Sequence, residues 1–310
     1  MKHVLSISLG SSKRDSIAEV EVLGEEFVLE RRGTDGSLKR FGQFMTQSDG
    51  VVDCLCVGGT NLGLYCGRRY YKFREISALT RNVKRTPLVD GSGLKDTLER
   101  MTLRYLQDKG IVDFSTAKVL LTCGIDRFGI AEELDAMHAN VVFGDVMFNL
   151  GIAVPIHTLR GLQRVGWTLL PIMVRVPFKW LYPTGEKQDT IVPKYRRWYE
   201  WADVIAGDFH FIRRHMPDDL GGKIIITNTI TADDVEELTA RGVRLLVTST
   251  PVIGGRTFAT NVIEGMFLCL LGKRPEEITP ERDYVELARR LNWEPTIRDL
   301  SGTTEGEDTA

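Results

Sequence analysis

The feature that most constrains the fold is a series of short apolar runs, each separated from the next by a segment of helical periodicity. Two of these runs are KIIIT at 223–227 and VRLLVT at 243–248. Such runs are typical of strands buried on both faces of a sheet, and helical connections between them make the strands parallel. The sequence therefore predicts a doubly wound, mostly parallel, Rossmann-like domain from residue 91 onward.

Residues 1–90 have a different pattern, in which apolar and polar residues alternate around glycine turns at Gly24 and Gly67. This pattern predicts β-hairpins, and a helix is expected over 37–48. The fold class we predict is α/β, with a mixed α+β N-terminal domain at 1–90 on the substrate side, followed by the Rossmann-like dinucleotide-binding domain at 91–300. The second domain carries an unusual helical and aromatic insert at 149–200, and the composition of 301–310 predicts a disordered tail.

Composition argues against several classes of function. Lys+Arg 40 against Asp+Glu 42 gives a net charge of −2, so no global basic field indicates nucleic acid as a partner. The most apolar run, 166–182, contains two prolines, Arg175 and Lys179, and makes a poor membrane span. The N-terminal apolar run is too short for a signal peptide. The five cysteines lack metal-ligand spacing, which favours reduced thiols in a cytoplasmic protein.

A candidate nucleotide site follows the strand predicted at 118–123. The turn there reads CGIDRFG and precedes a helix, and Asp145 ends the next predicted strand 21 residues after Gly124. A dinucleotide needs such a turn for its pyrophosphate and an acid about 20 residues further on for its ribose. The candidate cofactor-binding residues are Gly124, Asp126, Arg127, Gly129, Asp145 and Thr248.

NAD is the cofactor that this arrangement favours, because Asp145 would repel the 2′-phosphate of NADP. The complete G-x-G-x-x-G pattern is absent, however, and Asp126 would oppose a phosphate where Arg127 would attract it. The alternative therefore stays open that Gly124 serves only the turn of an ordinary βαβ unit.

Other polar residues also follow predicted strands. Thr248 and its neighbours up to Thr250 suit a ligand crevice at the carboxyl edge of a parallel sheet. Thr231, by contrast, precedes Asp233 and Asp234, a pattern that predicts a helix N-cap. His210 and His215 either line the crevice or pack in the protein, and no third residue at metal-ligand spacing accompanies them. No metal site is predicted.

Two further segments have more than one interpretation. The loop from Ser11 to Asp15, SSKRD, fits either an anion-binding loop or a solvated turn, and we favour the turn. The insert contains KYRRWYEW at 194–201 and YPTGEKQ at 182–188. Interleaved aromatic and cationic residues favour a packed helical cap or a subunit interface, and a lid is included in that interpretation; a membrane or RNA surface is the alternative.

The stretch VDGSGLKDTL, at 89–98, connects the two predicted domains. Asp90, Gly93 and Leu98 in this stretch, ADVIAG at 202–207 and TFATNVIEGMFLCLLG at 257–272 occur in the order found in a known family. With these landmarks, residues 86–272 resemble the shikimate/quinate dehydrogenase family.

The resemblance implies an NAD(P)-dependent oxidoreductase that transfers hydride between a nicotinamide cofactor and a hydroxy or keto cyclic acid or similar polyol. Asp90 matches the catalytic acid of that family, which works with a lysine. The family's lysine motif is absent here, so Lys84, Lys95 and Lys72 are all candidate partners, and CGIDRFG replaces the family's glycine turn. The alternative function is a non-catalytic ligand-binding or regulatory protein that retains a two-domain cleft. We expect a small-molecule ligand, no nucleic acid partner, no membrane span, and a homo-oligomer formed through the insert.

Overall fold

The computed structural model describes residues 1–177, 191–253 and 256–302. It is a mixed α/β structure with parallel sheets, which confirms the predicted class. The chain forms two compact units. Unit 1 comprises the described residues of Met1–Leu98, Thr168–Thr184 and Thr250–Trp293; unit 2 comprises those of Glu99–Trp167, Gly185–Ser249 and Glu294–Ala310.

The strands, in chain order, are β1 (Lys2–Ser8), β2 (Ser16–Val22), β3 (Glu25–Gly33), β4 (Cys54–Gly58), β5 (Gly63–Cys66), β6 (Arg69–Lys72), β7 (Leu88–Val89), β8 (Lys118–Leu121), β9 (Asn140–Phe143), β10 (Val204–Ala206), β11 (Ile224–Thr227), β12 (Leu245–Thr248), β13 (Val252–Ile253), β14 (Arg256–Thr257) and β15 (Thr296–Asp299).

The α-helices of the described residues are α1 (Leu38–Ser48), α2 (Arg74–Thr80), α3 (Ser92–Asp108), α4 (Phe128–Ala136), α5 (Asp145–Leu150), α6 (Leu159–Met173), α7 (Arg196–Trp201), α8 (Phe209–His215), α9 (Ala232–Ala240), α10 (Thr260–Leu271) and α11 (Pro280–Arg290). A short 3-10 helix at Ser12–Arg14 follows β1, and another lies at Pro275–Glu277.

Unit 1 contains a five-stranded sheet in the order β2-β3-β1-β4-β7. β1 is parallel to β3 and β4, and β7 is parallel to β4. β2 pairs antiparallel with β3, which confirms the hairpin predicted at Gly24. The second predicted hairpin is confirmed by the β5–β6 pair. The carboxyl ends of β1, β3, β4 and β7 therefore lie at one edge of the sheet.

The two faces of this sheet are covered by different helices. Leu5 and Ile7 of β1 belong to an apolar cluster that includes residues of α1 and α2. On the opposite face, Asn261 of α10 donates a hydrogen bond to the Ser6 hydroxyl at 2.8 Å. Helix α10 thus completes the core of a sheet built from residues 2–89, whereas the sequence division assigned it to the second domain.

Unit 2 contains a six-stranded sheet in the order β15-β12-β11-β10-β8-β9. The strands from β8 to β12 pair in parallel, as the apolar runs predicted. β9 lies on one side of β8 and β10 on the other, so the direction in which strands are added reverses beside β8. The edge strand β15 is antiparallel to β12 and was not predicted, because TIRD is short and lacks an apolar run.

Residues 195–201 of the insert pack against the core of unit 2. Tyr199 of α7 is fully buried, and its hydroxyl donates to the backbone carbonyl of Ile212 at 3.0 Å. The Arg197 guanidinium lies 4.6 Å from the ring centroid of Trp198. The packed interpretation is therefore confirmed for 195–201. YPTGEKQ lies outside the described residues, so the lid and subunit-interface roles stay predictions.

Smaller predictions concern Thr231, the two histidines, a membrane span and the C-terminal tail. Thr231 forms a capping box with Asp234, which confirms the predicted helix start. His215 is buried and stacks on Phe148 at a ring distance of 5.3 Å, whereas His210 is exposed. No helix in residues 1–177, 191–253 or 256–302 combines the length and apolarity that a membrane crossing requires. The tail predicted to be disordered lies outside the described residues from 303 onward.

Candidate ligand site at the carboxyl edge of the second sheet

Two loops that follow β8 and β10 pack together where strand addition reverses. Gly207, after β10, has a φ of +139°, and a Cβ on it would lie 2.3 Å from the Thr122 hydroxyl oxygen. Only glycine suits this backbone conformation and this close approach. The amide of Asp208 in turn donates to the Cys123 Sγ at 3.4 Å. The loops therefore form one continuous edge in which Asp208 lies next to the turn after β8.

Arg127 lies at the centre of this edge and is almost completely buried, with 2% of its side chain exposed. Its Nη1 donates to the Glu99 carboxylate, and its Nη2 donates to Asp208 at 2.7 Å. The Asp126 carboxylate lies 3.4 Å from the Arg127 Nε. Burial by itself lowers the pKa of Arg127, but these three carboxylates hold the pKa well above its ordinary value. The guanidinium is thus permanently charged and engaged by the chain's own acids.

Asp145 occupies the amides of the turn after β8. Its carboxylate accepts hydrogen bonds from the Gly124 amide at 2.9 Å and the Ile125 amide at 2.8 Å. Burial raises the pKa of Asp145 to about 6, although these amide bonds oppose the rise. The amides that the sequence assigned to a pyrophosphate are therefore bonded to the acid that it assigned to a ribose. NAD binding itself stays a prediction.

The other predicted cofactor-binding residues lie at different distances from Arg127. Gly129 is buried in the first turn of α4, close in sequence to the ion pairs. Thr248 ends β12 and is opposite Thr296 of β15. Because β11 and β10 lie between β12 and β8, a strand spacing of 4.8 Å places Thr248 about 14 Å from the β8 turn. The fold does not bring Thr248 into this group of side chains.

Asp90, in unit 1, caps the start of α3. One of its carboxylate oxygens accepts from the Leu62 amide at 2.6 Å, and the other accepts from the amide and hydroxyl of Ser92 at 2.9 and 2.5 Å. Lys84 lies beyond the opposite end of β7 and is exposed; Lys95 is half-buried in the first turn of α3. Lys72 ends β6 and is exposed.

Sequence reasoning missed a buried acid beside Asp90. Glu264 of α10 accepts from the amides of Gly91 and Leu94 at 2.7 and 3.1 Å and from the Tyr284 hydroxyl at 3.0 Å. Burial, together with the charge of Asp90, raises the pKa of Glu264 to about 7. A signal for it was present, because Glu264 is the single charged residue of the apolar helix TNVIEGMFLCLL.

Metal ligation finds no support in the part of the chain that the structure describes, where no group of three or more His, Cys, Asp or Glu residues could hold an ion. The cysteines at 54, 56, 66 and 123 are buried, and Cys269 is partly exposed. Burial raises the pKa of Cys123 to about 12, so this thiol is not activated despite its place at the sheet edge.

Two family models match the sequence in succession. One is described as a domain of unknown function, DUF8753, and covers residues 3–90; the other is a domain of unknown function, DUF8754, and covers residues 93–300, more than half of the chain. No curated protein matches the sequence.

Solved structures with some similarity include a sugar transport substrate-binding protein from Bordetella parapertussis, at 10% identity, 99% coverage of this chain, 92% coverage of that chain and a TM-score of 0.36. A glucose-galactose binding protein from Geobacillus stearothermophilus has 9% identity, coverages of 98% and 99%, and a TM-score of 0.36. A glutamate dehydrogenase from Thermus thermophilus has 13% identity, coverages of 94% and 74%, and a TM-score of 0.42. Because all three TM-scores lie below 0.5, no property of these proteins is transferred to this chain.

The predicted membership of the shikimate/quinate dehydrogenase family is wrong, since the families that match are the two domains of unknown function. The predicted oxidoreductase activity is corrected with it, because that activity was implied by the resemblance to this family. The geometry supplies a physical reason: the turn after β8 differs from the family's glycine turn, and Asp145 and Arg127 are bonded within the protein.

Proposed function

The chain belongs to the family of the domain of unknown function DUF8754, and we propose that it is a non-catalytic protein that binds a small, uncharged polyhydroxy molecule. The proposed site is the edge of unit 2 formed by the loops after β8 and β10. The observation that carries the proposal is the buried Arg127, held between Glu99 and Asp208 at the point where strand addition reverses.

The position of the proposed site in the sheet of unit 2 supports ligand binding. We interpret unit 2 as a doubly wound sheet, because β9 and β10 lie on opposite sides of β8. In such sheets, ligands bind outside the carboxyl ends of the strands, at the point where the strand order reverses. Arg127 and Asp208 come from the two loops that flank this point.

The carboxylates already bonded to the hydrogen-bond donors of the proposed site favour an uncharged ligand. The Gly124 and Ile125 amides and both terminal nitrogens of Arg127 already donate to carboxylates of the chain. A phosphate would compete with those carboxylates for the same donors and would be repelled by them. The edge therefore disfavours an anionic ligand.

The hydroxyl groups of a ligand would match the hydrogen-bonding capacity of Asp126, Asp208 and Arg127 at this edge. Asp126 and Asp208 remain 28% and 24% exposed, and a carboxylate oxygen can accept more than one hydrogen bond. The Arg127 Nε has no hydrogen-bond acceptor among the described residues. A hydroxyl both donates and accepts, so a sugar or polyol can bond to the acids and, where the Asp126 side chain shifts, to this nitrogen.

The hydrogen bonds that the acids Asp90, Asp145 and Glu264 already accept within the protein support binding without catalysis. Asp90, Asp145 and Glu264 are the acids that proton transfer would recruit, and each accepts hydrogen bonds from backbone amides. Their carboxylates stabilise turns and helix starts. A reacting substrate would have to displace those internal bonds.

Isothermal titration calorimetry of the full chain tests the proposal, with neutral sugars and polyols, sugar phosphates and NAD as separate arms. We expect a neutral polyhydroxy compound to bind at this edge, and the phosphorylated compounds to bind there, as judged by the loss of affinity in Asp208→Asn, at least about tenfold more weakly. Asp208→Asn should weaken binding, because a neutral amide accepts hydroxyl hydrogen bonds less strongly, while Asn still serves as an N-cap for α8.

Asp219→Asn is the matched control, since Asp219 is an exposed loop acid of unit 2 that accepts a bond from the Gly221 amide. It should leave binding unchanged. The proposal fails if no neutral compound binds, if the phosphorylated compounds bind equally well with an affinity that Asp208→Asn weakens, or if Asp208→Asn binds the neutral compound as tightly as the unchanged protein.

A further inference from the structure

Two arginines of unit 1 converge on the glycine that follows β1. A Cβ built on Gly10 would lie 3.0 Å from the Nη2 of Arg31 and 3.5 Å from the Nη2 of Arg14. Arg31 belongs to β3, which is the parallel neighbour of β1, and Arg14 ends the 3-10 helix of the loop. Both guanidiniums therefore reach the same point at the carboxyl edge of the first sheet.

The neighbouring carboxylates only partly engage these arginines. The Nη1 of Arg31 donates to the Ser11 carbonyl at 3.0 Å and to Asp15 at 3.1 Å, and the same Asp15 oxygen also accepts from the Gly33 amide. The Nη2 of Arg31 donates to no described residue, and the Arg14 side chain has no ion pair within the described ranges.

A second acid next to this loop, Asp35, which follows β3, is engaged elsewhere. Asp35 accepts from the Ser12 amide at 2.7 Å and from Arg40 at 3.3 Å. Lys13 lies between Ser12 and Arg14 and adds a further positive charge. The point beside Gly10 therefore has two guanidiniums next to it, of which Arg31 is paired with Asp15.

The partial burial of Arg31 makes this arrangement costly without a counter-charge. Its side chain is 18% exposed. Burial, and then the positive charge of Arg14, lower the pKa of Arg31, and Asp15 opposes the fall. An anion bound at this point would remove the repulsion between two like charges.

We propose that the Nη2 atoms of Arg14 and Arg31, beside Gly10, form a binding site for an oxyanion, either a phosphate or a carboxylate group of a small molecule. Arginine is suited to this ligand, because its planar nitrogens donate several hydrogen bonds to the oxygens of one anion. Gly10 leaves the space that the two side chains occupy; a methyl group there would press against the Arg31 Nη2.

The site differs from the one proposed for unit 2 in its residues and in the charge of its ligand. It also changes the interpretation of SSKRD from a solvated turn to an anion-binding loop. The sequence did not distinguish these, because Arg31 lies 16 residues after Asp15 and reaches the loop only through the pairing of β1 with β3.

Calorimetric titration of the full chain with inorganic phosphate tests the proposal at constant ionic strength, with acetate, sulfate and a sugar phosphate as further arms. We expect phosphate to bind and Arg14→Ala to weaken its binding roughly tenfold or more, as the loss of a charge-assisted hydrogen bond predicts. Arg14 is exposed, so this change should leave the fold intact, as checked by circular dichroism. The acetate and sugar-phosphate arms distinguish a carboxylate from a phosphate and a free anion from one carried by an organic molecule.

Arg32→Ala is the matched control, because Arg32 is adjacent to Arg31, alternates to the other face of β3, and pairs with Glu30 at 2.5 Å. It should bind phosphate as the unchanged protein does, and so should Asp208→Asn. The proposal is overturned if no oxyanion binds above the chloride background, if Arg14→Ala binds phosphate normally, or if Arg32→Ala loses as much affinity as Arg14→Ala.

Discussion

The carboxylate of Glu264, on α10, accepts the backbone amide of Gly91 at 2.7 Å across 173 residues of sequence. The same side chain accepts a hydrogen bond from the amide of Leu94. An acid far along the chain therefore satisfies free amides at the start of α3. A Cβ on Gly93 would lie 2.8 Å from this carboxylate, which accounts for the glycine there.

Replacing Glu264 by alanine should destabilise the protein by about 3 kcal/mol, because at least two buried amides lose their acceptor. At pH 4.5, Glu264→Gln should cost roughly half as much, since its amide oxygen can still accept one of these bonds. Urea unfolding followed by circular dichroism measures both free energies. An alanine variant within about 0.5 kcal/mol of the unchanged protein would contradict the capping role.

Glu264 also predicts a dependence of stability on pH. Burial raises its pKa in the folded state to about 7 from an ordinary value of 4.5, so the folded state binds the proton more tightly than the unfolded state. This contribution to stability is complete below pH 4.5 and is lost as the pH rises through about 7.

The measurement is the free energy of unfolding at several pH values for the unchanged protein and Glu264→Gln. The difference between the two should fall by about 3 kcal/mol between pH 4.5 and pH 7.5. Equal slopes for both proteins in this window would show that Glu264 titrates normally.

Arg127→Met should destabilise unit 2 by about 3–5 kcal/mol, because Glu99 and Asp208 lose their buried counter-charge. The comparison is Arg196→Ala, which removes an exposed pair with Glu200 on α7 and should cost about 0.5 kcal/mol or less. Thermal and urea unfolding of both variants test the difference. Similar losses of unfolding free energy for the two variants would contradict the larger contribution expected of the buried ion pair.

Gly207→Ala should cost at least about 2 kcal/mol, because its φ of +139° is strained for alanine and the added Cβ would collide with Thr122. Gly222→Ala is the control for backbone strain alone, since Gly222 has a φ of +73° but no atom within 4 Å of the Cβ position. It should cost about 1 kcal/mol. Equal losses of unfolding free energy for the two variants in urea would mean that the contact with Thr122 adds nothing to the cost of backbone strain.

Local patterns predicted much of the secondary structure correctly. The helix expected over 37–48 forms as α1, with Ser37 as its N-cap, and the hairpins around Gly24 and Gly67 form as predicted. The predicted ends of β8 and β9 were each two residues too long, because the carboxyl-end residues turn away from the strand direction. β15 was missed because its pairing with β12, and not its own composition, makes it a strand.

The candidate site was predicted only in its position. The turn after β8 and the acid after β9 were found from their spacing, and the structure places Asp145 against the Gly124 amide. The spacing could not reveal that this acid bonds to the chain instead of extending to a ligand. Nor could it identify Glu99, which sequence analysis did not single out and which pairs with Arg127.

By itself, the sequence determined most of the strands and helices and the cap at Thr231, because periodicity and capping depend on residues only a few positions apart. The tertiary structure decided which groups the charged side chains bind. Asp145 and Gly124 are 21 residues apart, and Arg127 and Glu99 are 28 apart. A buried charge must be satisfied by whatever donors and acceptors the fold brings beside it, and no local pattern specifies those neighbours.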